Sequence, residues 1–216
     1  NVMCVKTEEM HMKLRDLLEG LEYECLGGNA DAAVTGVSCD SGTVGPGELF
    51  ICIRGAKFDG HDFAGQAVER GAAALVVSGP VKEAAEGVLR ILVKDTRYAM
   101  AFISAAWFGH PARKLKTIGI TGTKGKTTTA YMVKSILEHA GFRTGLVGTI
   151  EIIIGDRSIP AGNTTPESWL LQSYMAQMVE AGCDTVVMEV SSQALMLHRS
   201  QGFVFDYGIF TNMEPD

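Results

Sequence analysis

The segment Thr121-Gly-Thr-Lys-Gly-Lys-Thr-Thr-Thr129 decides the fold of the second half of the chain. It follows an apolar run over 115–120 and precedes a predicted helix over 127–140, which Gly141 ends. A strand, a glycine-rich loop and a helix in this order are typical of phosphate-binding sites. Glycines let backbone N–H groups converge on an anion without Cβ clashes, and the helix N-terminus adds partial positive charge.

The spacing of this loop departs from the common pattern G-x-x-x-x-G-K-[ST]. That pattern needs a glycine five residues before Gly125, where this chain has Ile120, and the nearer Gly122 gives G-x-x-G-K-T. The alternative is a glycine-rich turn that only caps a helix. In a phosphate site, Lys126 would reach the β- and γ-phosphates and the Thr127 hydroxyl would ligate Mg²⁺.

Apolar runs alternate with helical patterns along the chain, which predicts an α/β fold with largely parallel sheets. Thr96 is expected to be the N-cap of one helix. Strands are predicted over 33–38, 49–53, 73–77, 89–93, 115–120, 143–148, 185–189 and 205–210. Helices are predicted over 12–19, 62–70, 96–108, 127–140 and 169–180.

The segment Gly109-His-Pro-Ala-Arg-Lys114 is the best candidate for a linker, because glycine and proline break helices. The α/β pattern restarts after it. We therefore expect two domains, 1–110 and 111–216.

Composition excludes several classes of function. A net charge of −6 argues against general affinity for nucleic acid or anionic membranes. No run approaches the roughly 18 apolar residues of a membrane span. The five cysteines include no C-x-x-C pair, so neither a disulfide framework nor a zinc site is indicated, and a reducing cytoplasm is the natural location. Two residue sets are expected to be structural: the cysteines (Cys4, Cys25, Cys39, Cys52, Cys183) as small buried groups, and isolated histidines (His11, His61, His110, His139) as surface or capping groups.

A second polar cluster follows the apolar run 185–189. Glu189 ends this run, and an acid at the carboxyl end of a buried parallel strand lies where open α/β sheets bind ligands. We expect it to organise Mg²⁺. Two further segments, Asn163-Thr-Thr-Pro166 and His198-Arg199, would by themselves be a turn and a solvated helix end.

Together, these motifs resemble those of the Mur ligases, ATP-dependent enzymes that build the peptide stem of bacterial cell-wall precursors. The short loop of that family, G-T-x-G-K-[ST]-[ST], matches Gly122 to Thr128, with Lys124 where asparagine is common. The other matching segments are Gly148-Thr149, Asn163-Thr-Thr-Pro-Glu167, Met188-Glu-Val-Ser-Ser192, His198-Arg199 and Phe210-Thr-Asn212.

The resemblance implies roles for individual residues, with Lys126 and Glu189 as catalytic residues. The ATP-binding residues would be Gly122, Thr123, Lys124, Gly125, Lys126, Thr127 and Thr128, and Mg²⁺ would be held by Thr127 and Glu189. The residues binding the UDP-linked substrate would be Ser41, Asn163, Thr164, Thr165, Ser191 and Arg199. Asp40-Ser41 and the segment 55–60 match the region that holds the uridine diphosphate, although Gly42 replaces the arginine usual in the family.

The implied fold is an N-terminal UDP-substrate α/β domain followed by the first part of a P-loop-type, parallel-sheet ATP-binding domain. The implied activity adds the third residue of the stem, diaminopimelate or lysine, to a UDP-N-acetylmuramoyl-dipeptide through an acyl phosphate. Because the family continues with an Asp-His pair and a C-terminal domain, we expect an enzyme piece that is inactive alone. Two alternatives stay open: a sister ligase of the folylpolyglutamate or cyanophycin type, and a non-catalytic module that binds UDP-sugar or nucleotide.

Overall fold

A computed structural model describes residues 11–55, 57–81 and 87–214. Cys4, Ala56 of the predicted segment 55–60, and the final Asp216 lie outside these residues. The chain divides into two compact units, Asn1–Ala99 and Met100–Asp216. Among the described residues, no helix is both long enough and apolar enough to cross a membrane.

The first unit is built on a five-stranded sheet in the order β2-β7-β6-β5-β4. Strands β4 to β7 run parallel and β2 is antiparallel to β7, while β1 and β3 form a separate antiparallel pair. The strands are β1 (Met12–Lys13), β2 (Glu24–Leu26), β3 (Ala33–Val34), β4 (Val37–Ser38), β5 (Leu49–Ile51), β6 (Ala74–Val77) and β7 (Leu89–Leu92). The helices of this part of the chain are α1 (Leu14–Leu17), α2 (Ala64–Glu69) and α3 (Thr96–Trp107).

Three predictions for this region need correction. The helix predicted over 12–19 is only the single turn α1 preceded by β1, and the strand predicted over 33–38 is broken into β3 and β4. The N-cap of α3 is Asp95 rather than Thr96: Oδ1 of Asp95 accepts from the backbone N–H groups of Arg97 at 2.7 Å and Tyr98 at 3.1 Å. A carboxylate at this position satisfies two donors of the first turn, which the Thr96 hydroxyl does not do here.

The second unit is built on a six-stranded sheet in the order β11-β10-β9-β12-β8-β13. Strands β9, β12, β8 and β13 are parallel, and β10 and β11 form an antiparallel hairpin at one edge. The strands are β8 (Lys116–Thr121), β9 (Thr144–Val147), β10 (Glu151–Ile154), β11 (Arg157–Pro160), β12 (Thr185–Glu189) and β13 (Tyr207–Phe210). The helices are α4 (Lys126–His139), α5 (Ser168–Glu180) and α6 (Ser192–Met196).

The predicted α/β class is confirmed, and the parallel strands explain where the polar residues meet. Strands β8 and β12 are neighbours, with Glu189 in register with Ile120, so their carboxyl ends lie side by side. The hairpin β10–β11 was not predicted. It turns through Gly155, whose φ of +56° suits glycine.

The predicted linker is ordered structure. Gly109 and His110 adopt left-handed φ values of +69° and +53°, and Pro111–Lys114 forms a 3₁₀ turn with Pro111 buried. This segment therefore redirects the chain sharply before β8 begins.

Two buried clusters form the core of the second unit: α5 packs with Val186 and Met188 of β12, and α4 packs with Val187. Met175 and Met178 of α5 and Met188 of β12 are fully buried, as expected for methionine used to fill a core. Of the cysteines, Cys52 and Cys183 are buried as predicted, and Cys25 is half-buried. The prediction is wrong for Cys39, which is exposed because it lies in the polar loop after β4.

A cavity of about 710 Å³ lies where the parallel strands begin, at the opposite end of the strands from the glycine-rich loop. It is lined by residues at the amino ends of the parallel strands, among them Lys116, Asp184 and Asp206, and by Gln172 of α5. Gln172 is 1% exposed, and neither polar atom of its amide has a hydrogen-bond partner among the described residues.

Candidate functional site

The glycine-rich loop requires glycine at two positions for different reasons. Gly122 has φ +138°, and a Cβ there would lie 2.2 Å from Oγ1 of Thr211 and 2.8 Å from the carbonyl oxygen of Asn212. Gly125 has φ +81° and is the N-cap of α4, with no atom close to a Cβ position. The loop is thus set by close backbone approach at its start and by a left-handed residue at its end.

Lys126, the first residue of α4, holds its ammonium group inside the loop. Nζ donates to the carbonyl oxygens of Gly122 at 2.7 Å and Thr123 at 3.2 Å. Because Lys126 begins α4, its ammonium group lies at the helix N-terminus, where partial positive charge favours an anion. Thr128, the next but one residue, is exposed.

The segment after β13 anchors the loop. The backbone N–H of Lys124 donates to Oδ1 of Asn212 at 2.9 Å, and Nδ2 of Asn212 donates back to the Lys124 carbonyl oxygen at 3.1 Å. Nζ of Lys124 lies 2.5 Å from Oε2 of Glu214. The anchoring role of Asn212 was missed from the sequence, although its motif was recognised.

Glu189 is buried at the end of β12 and receives three hydrogen bonds. Its side chain is 1% exposed. Oε2 accepts from the hydroxyl of Thr127 at 2.9 Å and that of Thr149 at 3.0 Å, and Oε1 accepts from the Thr149 N–H at 2.9 Å. Gly148 makes room for this carboxylate, since a Cβ at 148 would lie 2.6 Å from Oε1.

The Thr127 hydroxyl and the Glu189 carboxylate are oxygen groups of the kind that Mg²⁺ binds, and they lie side by side. The 2.9 Å between their oxygens is the length of their hydrogen bond, which a metal bound to both would replace. Within 11–55, 57–81 and 87–214, no three His, Cys, Asp or Glu side chains cluster as metal ligands. A metal here would take its other ligands from phosphate and water, as Mg²⁺ commonly does.

Thr165 connects the segment 163–166 to Glu189. It is 1% exposed, its hydroxyl donates to the Glu189 carbonyl oxygen at 2.8 Å, and the same oxygen accepts from the Ser191 N–H at 3.1 Å. The Thr165 carbonyl oxygen accepts from Arg199 at 3.1 Å. This threonine is therefore part of the buried frame of the site.

Arg199 is not a solvated helix end. Its side chain is 12% exposed and pairs with Oε1 of Glu167 at 2.7 Å.

The other residues assigned to the substrate differ in exposure and bonding. Ser191 is the N-cap of α6, and its Oγ accepts from the Ala194 N–H at 3.1 Å. The hydroxyl oxygens of Thr164 and Thr149 lie 3.1 Å apart. Asn163 is exposed.

Tyr131 lies one turn after Thr127 on α4 and is bound to Glu151. Its hydroxyl donates to Oε1 of Glu151 at 2.6 Å. Burial, followed by this bond, raises the pKa of Tyr131 to about 12. The phenol therefore stays protonated at neutral pH.

In the first unit, Ser41 lies in a tight turn. Oδ1 of Asp40 accepts from the Gly42 N–H at 2.8 Å, and the Ser41 hydroxyl lies 3.0 Å from Oε1 of Gln66. Arg70 donates to the Gly42 carbonyl oxygen at 2.7 Å. This turn therefore has a guanidinium group beside it, although residue 42 is glycine.

His61 was expected to be a surface or capping group; the surface alternative is wrong, because it is 7% exposed. Its Nδ1 lies 2.6 Å from Oδ1 of Asp59, and Nε2 accepts from the Ser78 N–H at 3.0 Å. Burial raises the pKa of Asp59, but the hydrogen bonds from the backbone N–H and ring of His61, with the charge of Arg54, outweigh it and hold that pKa below its usual value. The spacing resembles an acid–His–Ser relay, yet Nε2 is already occupied, so His61 cannot serve as a base for Ser78.

Comparison with known proteins assigns the chain to a family. The model of the Mur ligase middle domain matches residues 120–216, which include the loop and Glu189, and the model described as Mur ligase family, catalytic domain, matches residues 33–108. The chain belongs to the Mur ligase family. The predicted resemblance is thereby confirmed.

Relatives within the Mur ligase family are longer than this chain. The UDP-N-acetylmuramoyl-L-alanyl-D-glutamate–2,6-diaminopimelate ligase of Clostridium perfringens is 48% identical over 205 residues, covering 95% of this chain and 42% of that protein. A solved structure of a ligase with the same name aligns with a TM-score of 0.75 at 21% identity, over 96% of this chain and 41% of that chain. The MurF ligase of Thermotoga maritima in complex with ADP aligns with a TM-score of 0.53 at 21% identity, over 82% of this chain and 37% of that chain. These two structures support the fold.

Proposed function

We propose that this chain carries the UDP-substrate-binding and ATP-binding parts of a ligase that adds 2,6-diaminopimelate to UDP-N-acetylmuramoyl-L-alanyl-D-glutamate. The observation that carries the proposal is the 2.9 Å contact between Thr127, at the end of a phosphate-type loop, and the buried carboxylate of Glu189. Diaminopimelate, rather than lysine, is favoured because the relative at 48% identity is named for it.

In this proposal, the loop and α4 bind the phosphates of ATP. Backbone N–H groups of the loop and the ammonium group of Lys126 would contact the β- and γ-phosphates. Thr127 and Glu189 would hold Mg²⁺, which neutralises charge on the phosphates when bound. Because Lys126 now donates to Gly122 and Thr123, phosphate oxygens would replace those carbonyl acceptors.

The reaction would proceed in two steps. The γ-phosphoryl group passes from ATP to a carboxylate oxygen of the UDP-linked dipeptide, which releases ADP and gives an acyl phosphate. The amine of diaminopimelate then attacks the acyl carbon, an amide bond forms, and inorganic phosphate leaves with loss of a proton from nitrogen. The contribution of Lys126 would be electrostatic stabilisation and positioning of the transferred group.

Residues assigned to the UDP-linked substrate occur in each unit. We assign residues 1–110 to a substrate-binding domain and 111–216 to the first part of the ATP-binding domain, in agreement with the separate family matches over 33–108 and 120–216. Ser41 would contact the uridine diphosphate. In residues 111–216, Asn163, Thr164 and Ser191 would contact the muramoyl-dipeptide, while the buried Thr165 and the paired Arg199 would support them.

Isothermal titration separates this proposal from its alternatives. We expect the chain to bind both Mg·ATP and UDP-N-acetylmuramoyl-L-alanyl-D-glutamate. A folylpolyglutamate or cyanophycin ligase would bind ATP and ignore the UDP ligand. A non-catalytic module that binds UDP-sugar or nucleotide would bind only one of the two ligands. Binding of one ligand without the other would overturn the proposal.

The Lys126→Ala variant tests the phosphate assignment within the same experiment. Loss of the ammonium group should weaken Mg·ATP binding or turnover in a full-length ligase by orders of magnitude, since it removes a charge from a partly buried anion site. Lys134→Ala is the matched control, because Lys134 lies on the same helix and pairs with Glu138 at 2.5 Å. Equal nucleotide affinity in both variants would refute the assignment.

A further inference from the structure

Thr149 stands between the two halves of the proposed site. Its N–H donates to Oε1 of Glu189 at 2.9 Å, and its hydroxyl lies 3.0 Å from Oε2 of the same carboxylate. The same hydroxyl oxygen lies 3.1 Å from Oγ1 of Thr164. One residue therefore touches the proposed metal ligand and the segment proposed to bind the UDP-linked substrate.

The two contacts of the Thr149 hydroxyl compete for its single proton. That proton can go to Thr164 or to the Glu189 carboxylate, which only accepts hydrogen bonds. Because a buried carboxylate is the stronger acceptor, we assign the Thr149 proton to Glu189 and the Thr164 proton to the Thr149 oxygen. The bonds run in one direction, from Thr164 through Thr149 to Glu189, and bonds in such a chain strengthen one another.

We propose that Thr149 is a positioning residue that couples binding of the UDP-linked substrate to binding of Mg·ATP. This inference rests on the proposed function. A substrate that holds the segment 163–166 keeps Thr164 in place as a donor, which keeps the Thr149 hydroxyl directed at Glu189. Glu189 is then held beside Thr127 in the position that suits the metal. The coupling is positive, and it is reciprocal because it is an equilibrium effect.

The backbone bond makes this role separable from folding. In a Thr149→Val variant the N–H bond to Oε1 of Glu189 remains, and only the hydroxyl link is lost. Thr149 is exposed, and valine has the same shape as threonine, so the substitution should not disturb packing. Thr149→Ser keeps the hydroxyl and should keep the coupling.

The test is a pair of titrations on a full-length ligase that contains this chain. The magnesium complex of the non-hydrolysable analogue AMP-PNP is titrated without and with saturating UDP-N-acetylmuramoyl-L-alanyl-D-glutamate. Coupling in proteins commonly changes affinity 5- to 150-fold, and we expect about fivefold tighter analogue binding with the UDP ligand in the wild type and in Thr149→Ser. The ratio of the affinities with and without the UDP ligand should fall to about one in Thr149→Val, whatever change the lost bond to Glu189 causes in the substrate-free affinity.

Thr144→Val is the matched control. Thr144 is a buried threonine of β9 whose hydroxyl has no hydrogen-bond partner among the described residues. Its variant should keep the wild-type ratio. Two results would overturn the coupling but not the proposed function. One is a wild-type affinity ratio in Thr149→Val, and the other is a ratio of one in the wild type although both ligands bind. Failure of the UDP ligand to bind the wild type overturns the proposed function as well.

Discussion

The side-chain amide of Asn212 makes two hydrogen bonds to the backbone of Lys124, accepting from its N–H at 2.9 Å and donating to its carbonyl oxygen at 3.1 Å. These bonds continue the pairing of β13 with β8 beyond the point where the strands end. The phosphate-type loop is therefore held in shape by a segment 88 positions later in the sequence.

Removal of this amide should loosen the loop. Because a typical hydrogen bond contributes about 1 kcal/mol, loss of two bonds in Asn212→Ala should lower Mg·ATP affinity by about tenfold or more. The amide proton of Lys124 should also exchange faster with solvent, which NMR or mass spectrometry measures. Asn29→Ala, which removes a local turn bond to the Asp31 N–H, is a control that should leave both readouts unchanged. Slow exchange at Lys124 in Asn212→Ala would contradict the anchoring role.

Gly122 should not tolerate a side chain. In Gly122→Ala the new methyl group would meet Thr211 and Asn212 at a backbone angle of φ +138°, so we expect about 2 kcal/mol or more of lost stability. Urea unfolding measures this loss. Gly162→Ala is the control: nothing lies within 4 Å of a Cβ there, and its effect should stay within about 0.5 kcal/mol. Equal stability of the two variants would show that the loop rearranges freely.

Gln172→Met should stabilise the protein. The Gln172 amide is buried without hydrogen-bond partners among the described residues, and an apolar side chain of similar length removes that cost, about 1 kcal/mol. Gln177→Met, on the same helix, should be neutral or destabilising, because the Gln177 amide donates to the Ser173 carbonyl oxygen at 3.2 Å and accepts from Arg157. Thermal unfolding of both variants compares them. A lower melting temperature for Gln172→Met than for the wild type would refute the expectation.

Asp206 should make the free energy of unfolding fall as the pH is lowered into the acid range. Its Oδ2 accepts from the Thr117 N–H at 2.8 Å and its Oδ1 pairs with Lys116 at 3.0 Å; the Thr117 bond first, then the Lys116 bond, holds the pKa of Asp206 below its usual value. A lowered pKa in the folded state adds stability above the unfolded-state pKa, and this contribution is lost as pH falls through the folded-state pKa.

The expected result for Asp206→Asn is lower stability at neutral pH and a flatter decline on acidification than in the wild type. Urea unfolding at a series of pH values from neutral to acid measures both. Asp156→Asn, at a fully exposed side chain, should follow the wild-type curve. Parallel curves for Asp206→Asn and the wild type would contradict the assigned cause.

Local signals explain what the sequence could predict. Strand β8, the glycine-rich loop and helix α4 follow one another directly in the chain. The apolar run, the glycines and the helical pattern that predict them therefore lie in one short stretch of sequence. Glu189 was placed correctly because it ends an apolar run, and parallel strands bring such ends together. The fold class and family followed from these short-range patterns.

The parts that were missed depend on contacts far apart in the chain. The bonds from Thr149 to Glu189 join residues 40 positions apart, and no periodicity reports them. His61 looked like a surface group because a lone histidine gives no sign that Asp59 and Ser78 will enclose its ring. The hairpin β10–β11 was missed because it is an edge addition to the sheet rather than part of the repeating strand–helix pattern.

The close approach of Gly148 to Glu189 links the evolution of two positions. A methyl group at 148 would lie 2.6 Å from Oε1 of the carboxylate, so alanine there would push the Glu189 side chain away from the hydrogen bonds that it accepts. Aspartate at 189 would place its oxygens farther from position 148 and make room for the methyl group. It would also lose the hydrogen bond from the Thr127 hydroxyl. Each substitution alone would therefore disturb the hydrogen bonds of Glu189, and the two positions constrain one another.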